Sequence, residues 1–186
     1  MPAGMEKWII FIGLSIPVIF FSRRTLMNIK SHGLYRFFSW ECILWLFANN
    51  CIYWFKAPWS IHQMFSWIFL IISGYYVIAG TWRLKREGKA GDERRSAELF
   101  RFEKTTRLVD NGIFKYVRHP LYASLLFLSW GIYLKQPDWI LLIFAVLSST
   151  FLYITAVQDE KECLIFFGGS YREYMKKSKR FIPFIF

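Results

Sequence analysis

The segment that decides the fold is Arg118-His119-Pro120, an apolar run over residues 121–134, the four residues Lys135-Gln136-Pro137-Asp138, and a second apolar run over 139–157. A membrane-spanning helix needs about 20 apolar residues. The second run meets that length and the first falls short, so the first is expected to tilt little or to be capped by protein at one end. Four residues cannot lead the chain around anything but a tight turn, so the two runs are expected to pair as an antiparallel hairpin. Pro120 has a fixed φ and no N–H, which suits the first turn of a helix. The free N–H groups of that turn face the polar residues before it, and a helix N-terminus beside an arginine is a ready anion site.

Three further apolar segments precede the hairpin. They cover 8–21 (interrupted by Pro17), 37–55 (carrying Glu41, Asn49 and Asn50) and 62–82. The expected fold is therefore all-α: a polytopic membrane protein with five transmembrane helices and a C-terminal helical hairpin. At 186 residues, one integral membrane domain is expected, with three spans in 1–83, a loop and motif region in 84–120, and the hairpin and tail in 121–186. A chain that is 55% hydrophobic is too apolar for a soluble domain, and one that is 20% charged is too polar for bare spans. The charge is segregated, which resolves the contradiction.

On this reading, 21 of the 24 lysines and arginines lie on one side of the membrane, and only Lys7, Lys56 and Lys135 lie on the other. The positive-inside rule then places the N-terminus outside and the C-terminus and the 84–120 region in the cytoplasm. The net charge of +11 reflects this topology and contact with anionic membrane lipids, so no nucleic acid partner is expected. No cleavable signal peptide is expected, because segment 8–21 has acidic Glu6 before it in place of a basic n-region and no small-residue cleavage site after it. Cys42, Cys51 and Cys163 have no metal-ligand spacing and read as packed thiols, so no metal is expected. Gly88, Gly91 and mixed charges mark 84–104 as a solvated loop. The tail, 166–186, alternates aromatic and basic residues and reads as a short interfacial helix after a turn at Gly168-Gly169.

A second polar cluster, Asp159-Glu160-Lys161-Glu162, lies where the last apolar run ends. In a hairpin the start of one helix neighbours the end of the next, so Arg118-His119 should come near Asp159-Glu160. Topology alone allows either a salt bridge that closes the hairpin or a ligand site.

Residues 108–183 resemble the isoprenylcysteine carboxyl methyltransferase and phospholipid methyltransferase superfamily of integral membrane enzymes. The resemblance rests on Leu108-Val109, Gly112-Ile113-Phe114, Arg118-His119-Pro120 with Tyr122, Asp159-Glu160, Phe166-Phe167-Gly168, Tyr171, Tyr174 and Arg180-Phe181-Ile182-Pro183, in that order. It implies S-adenosylmethionine as methyl donor, held at the cytoplasmic end of the last helices by Leu108, Val109, Gly112, Phe114, Arg118, His119, Pro120, Tyr122, Asp159 and Glu160. It further implies a lipophilic or lipid acceptor. Arg118 suits the cofactor's carboxylate, Glu160 suits hydroxyl or amino donors, and the apolar and aromatic residues suit adenine. Glu160 and Arg118 are the candidate catalytic residues, with Glu160 as base if the acceptor is an amine.

The acidic pair begins with Asp159 where the family usually has glutamate, and residues 155–158 are neutral where the eukaryotic prenylcysteine enzymes tend to carry basic residues. A carboxyl acceptor of the isoprenylcysteine type is the leading reading. A phospholipid amine, a sterol or enone reductase using NADPH, and a non-enzymatic lipid-binding protein are the alternatives. The reductases share Arg-His-Pro but continue with Asn-Tyr, where this chain has Leu121-Tyr122.

Overall fold

The computed structural model describes residues 4–26, 32–88 and 105–185. Among them are six α-helices: α1 Met5–Leu26, α2 His32–Asn50, α3 Ile61–Glu87, α4 Pro120–Tyr133, α5 Trp139–Phe167 and α6 Gly169–Lys177. Two 3₁₀ turns, Cys51–Tyr53 and Gly112–Lys115, complete the regular structure. The expected loop at 84–104 begins as the last turn of α3, and residues 89–104 lie outside the described residues. The chain resumes beside the end of that helix, where Thr106 N donates to Gly88 O at 3.1 Å.

All five expected segments are helical. Three of them, α1, α3 and α5, are long and apolar enough to cross a membrane, and the protein is an integral membrane protein. Pro17 sits within α1 without ending it. The polar side chains of α2 dilute its apolarity. The 14 residues of α4 reach only about 21 Å, against a hydrocarbon core of about 30 Å.

Helix α3 packs on α4, α2 on α5, and α1 on α2, while α4 also meets α2 and α5. Small side chains let these backbones approach closely, as is usual between helices in lipid. Ser39 and Ser148 share a hydrogen bond at 2.9 Å between α2 and α5. Ser66 and Ser73 of α3 donate to the carbonyls of Gly131 and Ser124 in α4, at 2.6 and 2.8 Å. Glu41 in α2 accepts from Ser15 of α1 at 2.7 Å. The outward faces of α1 and α3 carry large exposed apolar side chains, including Ile12, Ile16, Ile71 and Ile78, as lipid contact demands.

The short α4 ends in a polar plug. Asn50 Nδ2 donates to the carbonyls of Ile132 and Tyr133 at 2.8 and 3.2 Å. His62 Nδ1 lies 2.9 Å from Leu134 O, and Gln63 Nε2 donates to Lys135 O at 2.8 Å. Four side chains from α2 and α3 (Asn50, His62, Gln63 and Ser66) thus satisfy the carbonyls that a helix C-terminus leaves open. Lys135, read from sequence as a loop cation, is instead fully buried. Its Nζ sits 3.5 Å from the centroid of the Trp67 ring and donates to Gln63 Oε1 at 3.2 Å. A cation at this position also complements the negative end of the α4 dipole.

Helix α5 starts at Asp138, whose carboxylate accepts from Ile140 N and Leu141 N at 2.8 and 3.3 Å, an N-cap. It ends at Gly168, whose φ of +59° suits glycine and turns the chain directly into α6. The expected Gly168-Gly169 turn and short tail helix are both present.

Candidate functional site

The site forms where α4 begins, α5 ends and the tail returns. Arg118 Nε donates to Glu160 Oε1 at 2.9 Å, and His119 Nε2 lies 3.3 Å from the same oxygen. Arg180 donates from Nε to Oε1 at 3.1 Å and from Nη2 to Oε2 at 2.8 Å, the forked geometry typical of arginine and carboxylate. Glu160 therefore holds two arginines and a histidine in a largely buried cluster. It is the hub of a knot, with both carboxylate oxygens accepting.

Backbone pairing fixes the tail against this knot. Val117 and Lys179 form an isolated parallel bridge. Arg118 N donates to Lys179 O at 2.7 Å, His119 N to Arg180 O at 3.2 Å, and Lys179 N to Tyr116 O at 2.9 Å. The Arg118 guanidinium also donates to the carbonyls of Ser178 and, at 3.1 Å, Met175. These bonds hold Arg118 and Arg180 on one carboxylate.

Beside the knot lies a pocket of about 90 Å³. Of the ten residues singled out in the sequence, eight line it: Leu108, Val109, Phe114, Arg118, His119, Pro120, Tyr122 and Asp159. Glu160 lies behind this wall, and Gly112 faces a separate groove outside it. The pocket's carboxylate is Asp159. Its Oδ2 lies 3.6 Å from His119 Nδ1 and 3.5 Å from the Tyr122 hydroxyl, and Cys163 Sγ lies 3.8 Å from Oδ1. Tyr122 stacks on His119 with centroids 5.4 Å apart.

Sequence reading did not assign Phe167, Tyr171 or Tyr174 to the pocket, although all three were within the matching pattern. The tyrosines stand out most. The signal was their spacing of three residues, which puts both rings on one face of α6. Tyr174 donates to Phe114 O at 2.7 Å and thereby ties the Gly112–Lys115 turn to α6. Burial pushes the phenols of Tyr171 and Tyr174 well above the ordinary tyrosine value, so both remain neutral hydroxyls. Arg180 was also unassigned, although it was within the matching pattern: a turn at Gly168-Gly169 was expected, but a turn alone does not tell that the tail beyond α6 pairs with Val117.

Taken together, the pocket offers one carboxylate, one arginine, one imidazole, tyrosine hydroxyls and aromatic walls. Such a set suits a zwitterionic ligand with a flat ring.

Residues 61–166 match the family model described as phospholipid methyltransferase. The chain is 33% identical over 79 residues to protein-S-isoprenylcysteine O-methyltransferase of Schizosaccharomyces pombe, which covers 42% of this chain and 34% of that protein. It is 25% identical over 71 residues to methanethiol S-methyltransferase 1 of Bradyrhizobium diazoefficiens, covering 38% of this chain and 24% of that protein. The matched stretches thus span only a quarter to a third of the length of these relatives. No solved structure matches the chain.

Proposed function

This chain belongs to the phospholipid methyltransferase family, and from that premise we propose that it transfers a methyl group from S-adenosylmethionine to a lipophilic acceptor at the membrane interface. The observation that carries the reading is the pocket at the start of α4, where Asp159, His119 and Arg118 converge beside aromatic walls.

The donor set fits the cofactor's chemistry. Arg118, His119 and the positive end of the α4 dipole suit its carboxylate. Asp159 suits its amino group or a ribose hydroxyl, and Phe114, Phe167 and Tyr171 suit adenine. When bound, S-adenosylmethionine supplies an electrophilic methyl on a sulfonium. The chain's own residues position, and they keep water out. Glu160 takes no part in contact with the reactants: it holds Arg118 and His119 in place, and so we assign it a positioning role in place of base or nucleophile. A pocket of about 90 Å³ takes only part of a nucleotide-sized molecule, so loading it requires the walls to open or the ligand to extend through the mouth.

We place the pocket at the cytoplasmic face, with α4 and α5 as an antiparallel hairpin, on the asymmetry of basic residues. The isoprenylcysteine O-methyltransferase relative supports a carboxylate acceptor, which arrives ionised and needs no base. An amine acceptor would need one, and Asp159 is the pocket carboxylate available for it.

The test is incubation of purified protein with methyl-labelled S-adenosylmethionine and a membrane lipid extract. Label in an organic-soluble product supports the reading, and mass spectrometry of that product identifies the acceptor. A protein that binds the cofactor but labels no lipid from any extract refutes the assigned acceptor class.

A further inference from the structure

Outside the pocket, a groove of about 420 Å³ runs along α3 and the Gly112–Lys115 turn. Its α3 wall is Tyr75, Ala79, Trp82 and Arg83, spaced as i, i+4, i+7 and i+8, which is one stripe of a helix. The stripe changes character along its length. Tyr75 and Trp82 are 60% and 50% exposed apolar rings, and Ile78 beside them is also exposed, so this part faces lipid chains. Arg83 then brings a cation, about 12 Å from Tyr75 at 1.5 Å per residue. Opposite Arg83 stands Lys115, exposed, with Tyr116 beside it.

Gly112 makes the cationic end possible. Its φ is +57°, and a Cβ there would sit 2.4 Å from Arg83 Nε, so the guanidinium lies directly on the glycine backbone. Arg83 and Arg86 also flank the Trp82 ring at 5.0 and 5.1 Å. Among the described residues, the acids nearby are Glu87, which pairs with Arg83, and Asp110, against the cations Arg83, Arg86 and Lys115, a positive balance.

We propose that this groove is a binding site for an anionic phospholipid, with the headgroup between Arg83 and Lys115 and an acyl chain along Ala79 and Tyr75. An apolar stripe that ends in cations matches a lipid in both polarity and order. The proposal stands apart from methyl transfer, since neither Lys115 nor Tyr116 lines the pocket and the test needs no cofactor.

Native mass spectrometry of the detergent-purified chain, titrated with dioleoylphosphatidylglycerol or dioleoylphosphatidylcholine, decides it. The expected result is preferential retention of one phosphatidylglycerol. The double variant Arg83→Gln/Lys115→Gln should lower its affinity about tenfold or more, from two cations near the membrane surface. Arg172→Gln/Lys177→Gln on the exposed face of α6 should leave it unchanged. Equal binding of both lipids, wild-type binding by the groove variant, or equal loss in the α6 variant would overturn the proposal. If the double variant fails to fold by circular dichroism, Lys115→Gln alone decides: a loss of about threefold supports the site, and unchanged binding overturns it.

Discussion

Arg118 and Glu160 are 42 residues apart in sequence and 2.9 Å apart in space, joined Nε to Oε1. That bond closes the polar end of the helical core. It also separates the two neighbouring carboxylates: Glu160 is held in the knot, and Asp159 lines the pocket wall.

The first prediction concerns that division. Glu160→Ala removes the partner of two arginines and one histidine in a nearly dry cluster. Breaking a buried pair costs roughly 3–5 kcal/mol, so the variant should lose most of its thermal stability in detergent. Asp159→Asn should stay within about 1 kcal/mol of wild type, because the amide keeps the shape of the carboxylate and its oxygen still accepts from the Tyr122 hydroxyl. Thermal unfolding followed by circular dichroism checks both. Equal stability of Glu160→Ala and wild type would remove Glu160 from its hub role.

A second prediction concerns membrane orientation. In a variant with Cys42, Cys51 and Cys163 replaced, a cysteine at exposed Lys56 should react with an impermeant reagent from outside the cell. A cysteine at exposed Arg172 should react only once the cytoplasmic face is opened. A cysteine at Lys135 should react from neither side until the protein is denatured, because Trp54, Trp67 and Gln63 surround that position. Labelling at Lys56 from the cytoplasm would reverse the assigned orientation.

Lys135 also marks where sequence stopped being informative. Apolar runs and the short connector made the helices legible, since length and apolar composition are local properties. The meeting of Arg118 with Glu160 followed from a four-residue connector. Yet charge pattern alone placed Lys135 in solvent, because two tryptophans from the Cys51–Tyr53 region and α3 that enclose it are remote in sequence. Arg180 reached Glu160 for a similar reason: the turn at Gly168-Gly169 was legible, but the pairing of the tail with Val117 joins residues remote in sequence. Gly112 was read from the sequence as a cofactor-binding residue; in the fold it lines the outer groove, where its lack of a side chain leaves room for Arg83.

A third prediction follows for Gly112. Alanine there adopts a left-handed φ and also meets the Arg83 guanidinium. A strained backbone of this kind costs about 1–3 kcal/mol, and Arg83 must move as well. Gly112→Ala should lower the unfolding temperature, and the added variant Arg83→Ala should recover the part due to the clash. A Gly112→Ala protein as stable as wild type would contradict the close approach.

The central claim is that the pocket beside Asp159 holds the methyl donor, and calorimetric titration of S-adenosylmethionine into the folded, detergent-solubilised protein tests it most directly. Loss of one charge-assisted hydrogen bond is worth roughly 1.5–3 kcal/mol, or about 10- to 150-fold in affinity. The account predicts single-site binding to wild type and a weakening of that order in Asp159→Asn at unchanged stability. Absence of binding to wild type, or wild-type affinity in Asp159→Asn, would contradict it.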